Sequence, residues 1–201
     1  MELQDAIHRR RMVRGFQDRP LPAGALDRLL ELATHAPSAG FSQGWAFVVL
    51  EGAEQTDRYW QVTLPPDRRP GFPWPGLLTA PALVIPLAHP QAYVDRYAEP
   101  DKAATGLGSS AADWPVPYWL IDTAMSAMLL LLGAVDEELG ALFFGIFEHE
   151  AAVMAELGVP DGYRPIGTIA IGHPAPEVDR SSRSAERGRR PLDEVVHRGG
   201  W

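Results

Sequence analysis

The residues from Tyr118 to Leu139 read as one long helix that is apolar nearly all the way round. A helix without a polar face has to be covered on several sides, so the rest of the chain must wrap other elements around it. The run is not a membrane anchor. Its unbroken apolar part, Ala124 to Val135, is too short to cross a bilayer and is flanked by Asp122 and Asp136. With 201 residues, 46% of them hydrophobic, the chain can build one sizeable core, and a single domain over residues 1–201 is expected.

Around that helix, short helical patterns mix with short apolar strands. Glu2 to Arg9 reads as a helix. Leu26, Leu29, Leu30, Leu32, Ala33 and Ala36 recur at helical spacing until Pro37 stops them. "WAFVVL" (45–50), "ALVIPLA" (82–88) and "IGTIAIG" (166–172) read as buried strands, with Pro86 marking an edge or a bulge at the far end of the second. "ALFFGIF" (141–147) is a strand or strand end, and Glu54–Leu64 and Glu148–Leu157 read as helices. The prolines of residues 65–76 exclude regular structure there. Without a regular strand–helix alternation the fold class is α+β with a small mixed sheet. Residues 99–113, rich in Ala, Gly and Ser, predict a flexible lid or loop. The arginine-rich tail from His173 turns apolar again at "PLDEVVHRGGW", which predicts an extension over residues 173–201 that wraps a partner subunit.

The chain carries a formal net charge of -8, yet four arginines and a histidine fall between His8 and Arg14. A solvated helix end with cations on the negative pole of its dipole explains such a run. So does an anion site, because arginines bind phosphate through paired, charge-assisted hydrogen bonds. A second basic cluster, "RSAERGRRP" (183–191), allows the same two explanations. Were the fold to bring both clusters together, an anion between them would relieve their repulsion. The acidic balance argues against nucleic-acid binding. The start of the chain lacks a signal peptide's apolar core, so a cytoplasmic location is expected.

Other chemistry is sparse. There is no cysteine, no glycine-rich phosphate loop and no nucleophile elbow around Ser38 or Ser42. The six histidines form no metal-spaced pair, so no metal is expected. An enzyme with so few catalytic side chains would rely on a cofactor for its chemistry.

The order of the motifs carries more than any one of them. "RRRMVRGF" is followed by "APSAGFSQGWAFVVL", the long apolar helix, "GALFFGIF", "LGVP", "IGTIAIGHP" and finally "RGRRPLDEVV". This succession resembles the FMN-dependent nitroreductase family over nearly the whole chain. The resemblance implies a mainly antiparallel sheet surrounded by helices, in an intertwined homodimer with FMN at the interface and the long apolar helix at the seam. It implies that Arg10, Arg11 and Met12 line the cofactor, with Arg10, Arg187 and Arg189 on its phosphate. Arg14 falls near the flavin pyrimidine ring. Pro37, Ser38, Ala39, Phe41 and Gln43 would lie along the flavin from the partner subunit. Phe143, Phe144 and Gly145 would cover one flavin face, with a backbone N–H at N5.

Three residues depart from the family pattern. Met12 stands where serine is usual and loses a hydroxyl contact, Phe41 stands at a frequent asparagine, and Gly44 replaces proline, which implies a less rigid loop. Phe143, Phe144, Trp74, Trp114 and Trp119 are candidates for an aromatic pocket, with core packing as the alternative. The activity implied is hydride transfer from NAD(P)H through the flavin to an electron-poor acceptor such as a nitroaromatic or a quinone, with no catalytic side chain of the protein's own. A specialised branch (dehydrogenase, dehalogenase or flavin-modifying enzyme) and a non-catalytic flavin or deazaflavin carrier are the alternatives.

Overall fold

The computed structural model describes residues 1–179 and 183–201. Among the described residues six α-helices surround one sheet: α1 Leu3–Arg9, α2 Ala25–Thr34, α3 Ala53–Thr63, α4 Pro90–Ala98, α5 Tyr118–Asp136 and α6 Glu150–Glu156. The strands are β1 Trp45–Glu51, β2 Ala82–Ala88, β3 Gly140–Phe144, β4 Arg164–Pro165 and β5 Thr168–Gly172. Their order is β1-β2-β5-β3, with β4 also on β2, and every strand pair is antiparallel. Among the described residues the parallel element is a single bridge between Met12 and Ala141.

The side-chain period of the strands divides the core in two. Ala82 and Val84 of β2 and Ile169 and Ile171 of β5 face α2 and α5. Leu83, Ile85 and Leu87, with Ala170 between the isoleucines, face α3 and α6. β2 is buried along its whole length, so Pro86 is not on an edge. Opposite Phe47 of β1, it sits where the neighbour on its other side changes from β5 to β4. Its missing N–H falls at that break, while its carbonyl still accepts the Ile166 N–H.

α5 has the length and composition to cross a membrane, but eight of its residues are buried in this fold, from Asp122 to Ala134. It is a core helix, packed with α2 against the sheet. It is not covered all round. Tyr118, Ile121, Met125 and Met128 form an exposed apolar stripe at helical spacing. α4 was not evident in the pattern, although Pro90 at its first position is a helix-start signal. Residues 99–113 contain two single 3₁₀ turns, at Ala103–Thr105 and Ala111–Asp113.

Candidate active site

The basic segment leaves α1 as extended chain and lies alongside β3, where the Val13 N–H donates to the Ala141 carbonyl at 3.0 Å. Alternation along it sends Val13 into the core, against Gly140, and leaves Met12 and Arg14 half-buried. The Met12 position is not without a contact: its sulfur accepts the Phe143 N–H at 3.5 Å. The Arg14 guanidinium donates to the Met12 carbonyl at 3.3 Å and sits 5.7 Å from the centre of the Trp74 ring, within cation–π range.

Asp179 fixes this segment from the far end of the chain. Its buried carboxylate accepts the Arg14 N–H at 2.7 Å and pairs with Arg11 at 3.5 Å. The backbone of 178–179 crosses so close over Gly15 that a Cβ there would lie 2.6 Å from the Asp179 nitrogen. The crossing requires a glycine because of the close approach of another main chain.

Beside Arg14 opens a cavity of about 390 Å³. Its wall includes Tyr59, Trp60, Phe72, Trp74, Phe143, Phe144, Gly145 and Phe147, with Glu148 and His149 also lining it. Trp60 stacks on Phe144 at an interplanar angle of 4°, and Phe72 meets Trp74 edge-on. The Tyr59 hydroxyl accepts a hydrogen bond from Thr168, and burial pushes its pKa up to about 12, so it stays protonated. The indole N–H of Trp60 is buried without a partner among the described residues. The Gly145 N–H likewise has no acceptor among them. Phe147 is 82% exposed in a left-handed conformation, and its ring covers Gly145 closely enough that a Cβ at Gly145 would lie 2.6 Å away.

The expected aromatic pocket is therefore formed by Phe143, Phe144 and Trp74, without Trp114 and Trp119. Those two tryptophans pack with Tyr93, Tyr97 and Tyr118 in a separate cluster. That cluster underlies the loop of Pro37, Ser38, Ala39, Phe41 and Gln43. Gly40, Phe41 and Gln43 all have positive φ, and Phe41 is 72% exposed. Position 44 has room only for glycine. A Cβ at Gly44 would run into the Tyr93 ring and the His89 carbonyl, so the ring fills the space a larger residue would need.

Arg14, Phe143, Phe144 and Gly145 thus share one cavity wall. Arg10 and Arg11 line a second cavity, of about 300 Å³, with Arg9, Glu138 and Gly140. Arg10 is half-buried, and its side chain has no hydrogen bond or ion pair among the described residues. Arg187 and Arg189 are exposed in the tail. No group of acidic residues and histidines among the described residues could hold a metal ion. Sequence reasoning missed Asp179, Asp122 and Tyr93, which carry no local motif; only their contacts with distant segments reveal them.

The nitroreductase family model matches residues 7–173. A relative from Methanothermobacter thermautotrophicus, provisionally named an NADH dehydrogenase/NAD(P)H nitroreductase, is 25% identical over 87% of this chain and 78% of its own. An NADPH-dependent oxidoreductase from Staphylococcus aureus is 24% identical over 95% of this chain and 70% of its own. Among solved structures, a nitroreductase family protein from Clostridium difficile covers all of both chains with a TM-score of 0.72 at 19% identity. A provisionally named nitroreductase from Desulfovibrio desulfuricans, solved with FMN, gives 0.70 at 21% identity over 98% of this chain and 95% of its own.

Proposed function

Because the chain belongs to the nitroreductase family, we propose that it is an FMN-dependent oxidoreductase that moves a hydride from NAD(P)H to an electron-poor acceptor such as a nitroaromatic or a quinone. The observation that carries this reading is the wall shared by Arg14 and Phe143–Gly145: one fixed cation, an aromatic surface and an unpaired backbone donor beside one cavity. The donor set suits FMN. Arg10 is a half-buried guanidinium with no protein counter-charge, Arg14 supplies a second cation, and Gly145 offers an N–H. Once bound, FMN supplies the hydride-carrying centre at N5.

The chain's own residues then bind, orient and exclude water. Arg10, Arg187 and Arg189 hold the phosphate, with Arg11 and Met12 alongside. Arg11 is partly neutralised by Asp179, which leaves Arg10 the stronger anion ligand. Arg14 places positive charge near the pyrimidine edge, where it favours the electron-rich form. Phe143, Phe144 and Gly145 cover one face, and Pro37, Ser38, Ala39, Phe41 and Gln43 approach from the partner subunit. The aromatic wall keeps water away and favours flat acceptors that stack.

The protein acts as a cytoplasmic homodimer. The stripe Tyr118, Ile121, Met125 and Met128 supports this, as do the exposed Leu3 and Ile7 of α1 and the apolar residues Leu192, Val195 and Trp201 of the tail. Of the expected extension over residues 173–201, residues 173–179 pack against their own chain instead, on Gly15, Gln17 and Arg14, and residues 180–182 lie outside the described residues, so residues 183–201 are the part that reaches the partner, while residues 99–113 form the lid. The test is an absorption spectrum. The purified protein is yellow, or becomes so with added FMN, and NADH or NADPH bleaches it anaerobically. A colourless protein that takes up no FMN overturns the reading.

A further inference from the structure

The loop of residues 38–43 holds an unfavourable backbone. Gly40, Phe41 and Gln43 are left-handed, a conformation that is costly for any residue but glycine. Its internal bonds are short-range: Phe41 N–H to the Ser38 carbonyl, Ser42 N–H to the Ala39 carbonyl and Gln43 N–H to Ser38 Oγ. Something outside the loop must over-determine it. Two side chains do. Arg96 of α4 donates to the Gly40 carbonyl at 2.8 Å. Asp122 of α5 accepts the Ala39 N–H at 2.9 Å.

Asp122 is the more unusual of the two. It is 2% exposed, and no cation pairs with it among the described residues. The same oxygen, Oδ2, also accepts the Tyr93 hydroxyl at 2.8 Å. Burial, reinforced by this carboxylate, raises the Tyr93 pKa, so the phenol remains a donor. The Tyr93 ring in turn lies against Gly44, at the other end of the loop. One buried carboxylate thereby fixes both ends, Ala39 directly and Gly44 through Tyr93. A buried carboxylate without a cation is costly to keep, and among the described residues two neutral donors hold it.

We propose that Asp122 is the positioning residue of the flavin-facing loop, setting its geometry from the core side without touching the ligand. The proposal rests on the reading of this loop as a flavin contact, and its test separates the two. Amide exchange of the peptide spanning residues 38–44 is measured on the full-length protein for wild type, Asp122→Ala, Asp122→Asn and Ser126→Ala. Ser126 lies one turn further along α5 and bonds the Ala33 carbonyl instead of the loop, so it reports a general loss of core stability. FMN affinity is measured on the same four proteins by fluorescence quenching.

Asp122→Ala is expected to speed exchange in this peptide by about tenfold or more and to weaken FMN binding by a similar factor, since a charge-assisted bond is lost. Ser126→Ala leaves both near wild type. Asp122→Asn retains an oxygen for both donors and restores most of the protection. Equal exchange in Asp122→Ala and Ser126→Ala, or wild-type FMN affinity in folded Asp122→Ala, overturns the positioning role. A wild-type protein that binds no FMN overturns the flavin reading alone, and the exchange data still decide the role of Asp122 in the loop.

Discussion

Replacing Gly15 by alanine probes the crossing that fixes Arg14. The new Cβ would lie 2.6 Å from the Asp179 nitrogen and 2.8 Å from the Asp179 Cα and the Val178 carbonyl carbon. All three are main-chain atoms, so no rotamer change relieves the contact. Two routes of relief compete. Compressing the crossing costs about 1–3 kcal/mol, the usual range for overpacking. Separating it breaks the Arg14 N–H bond to the Asp179 carboxylate and the Ala175 N–H bond to the Gly15 carbonyl. Those are worth about 1.5–3 and about 1 kcal/mol. Separation costs more than most of the compression range, so the chain compresses, and the expected loss is about 1–3 kcal/mol. Urea denaturation measures it, with two glycines for comparison. Gly52 has φ +82° and ψ 159° with open space around it, so alanine there costs about 1–3 kcal/mol through backbone strain alone. Gly188 has neither constraint, and its substitution stays within about 0.5 kcal/mol. A Gly15→Ala protein as stable as Gly188→Ala refutes the crossing as the element that fixes Arg14.

Three further outcomes are expected. Met125→Glu combined with Met128→Glu puts two carboxylates into the exposed stripe of α5 and is expected to convert the proposed dimer to monomer in light scattering, while far-UV circular dichroism stays unchanged, because neither side chain is in the buried core. Tyr59→Phe leaves the Thr168 hydroxyl without its acceptor inside the core and lowers stability by about 1–2 kcal/mol in urea, with the aromatic cavity wall retained. The Asp101 carboxyl is held below the ordinary aspartate range chiefly by its hydrogen bond from Arg96. Because the folded pKa is the lower one, this contribution is present at neutral pH and is lost as pH falls through the depressed value. An NMR titration should therefore find Asp101 shifted down in wild type and back in its usual range in Arg96→Ala, with faster proteolysis across residues 99–113 in the variant, since Arg96 pairs with both Glu99 and Asp101.

Periodicity made most of the architecture legible. The long helix, three strands and the α+β class follow from apolar spacing, because burial on one face or on all faces leaves a local record. Pro86 misled because proline argues against a central strand, whereas here a change of neighbour absorbs the missing donor. The segments "RRRMVRGF", "APSAGFSQGW" and "GALFFGIF" could be recognised by their order along the chain.

The sequence by itself determined which residue types were available for the site: arginines without enough nearby acids, aromatics near a strand end, and no cysteine or metal motif. It could not say which arginines remain unpaired, since that depends on Asp179 reaching back from the end of the chain to take up Arg11 and the Arg14 amide. Nor could it say that Trp74 joins Phe143 and Phe144 while Trp114 and Trp119 support a different loop. Hydrophobic period is a property of neighbouring residues and survives in one dimension. Charge pairing, close backbone crossings and buried carboxylates such as Asp122 involve residues up to 165 positions apart, and they exist only once the chain has folded.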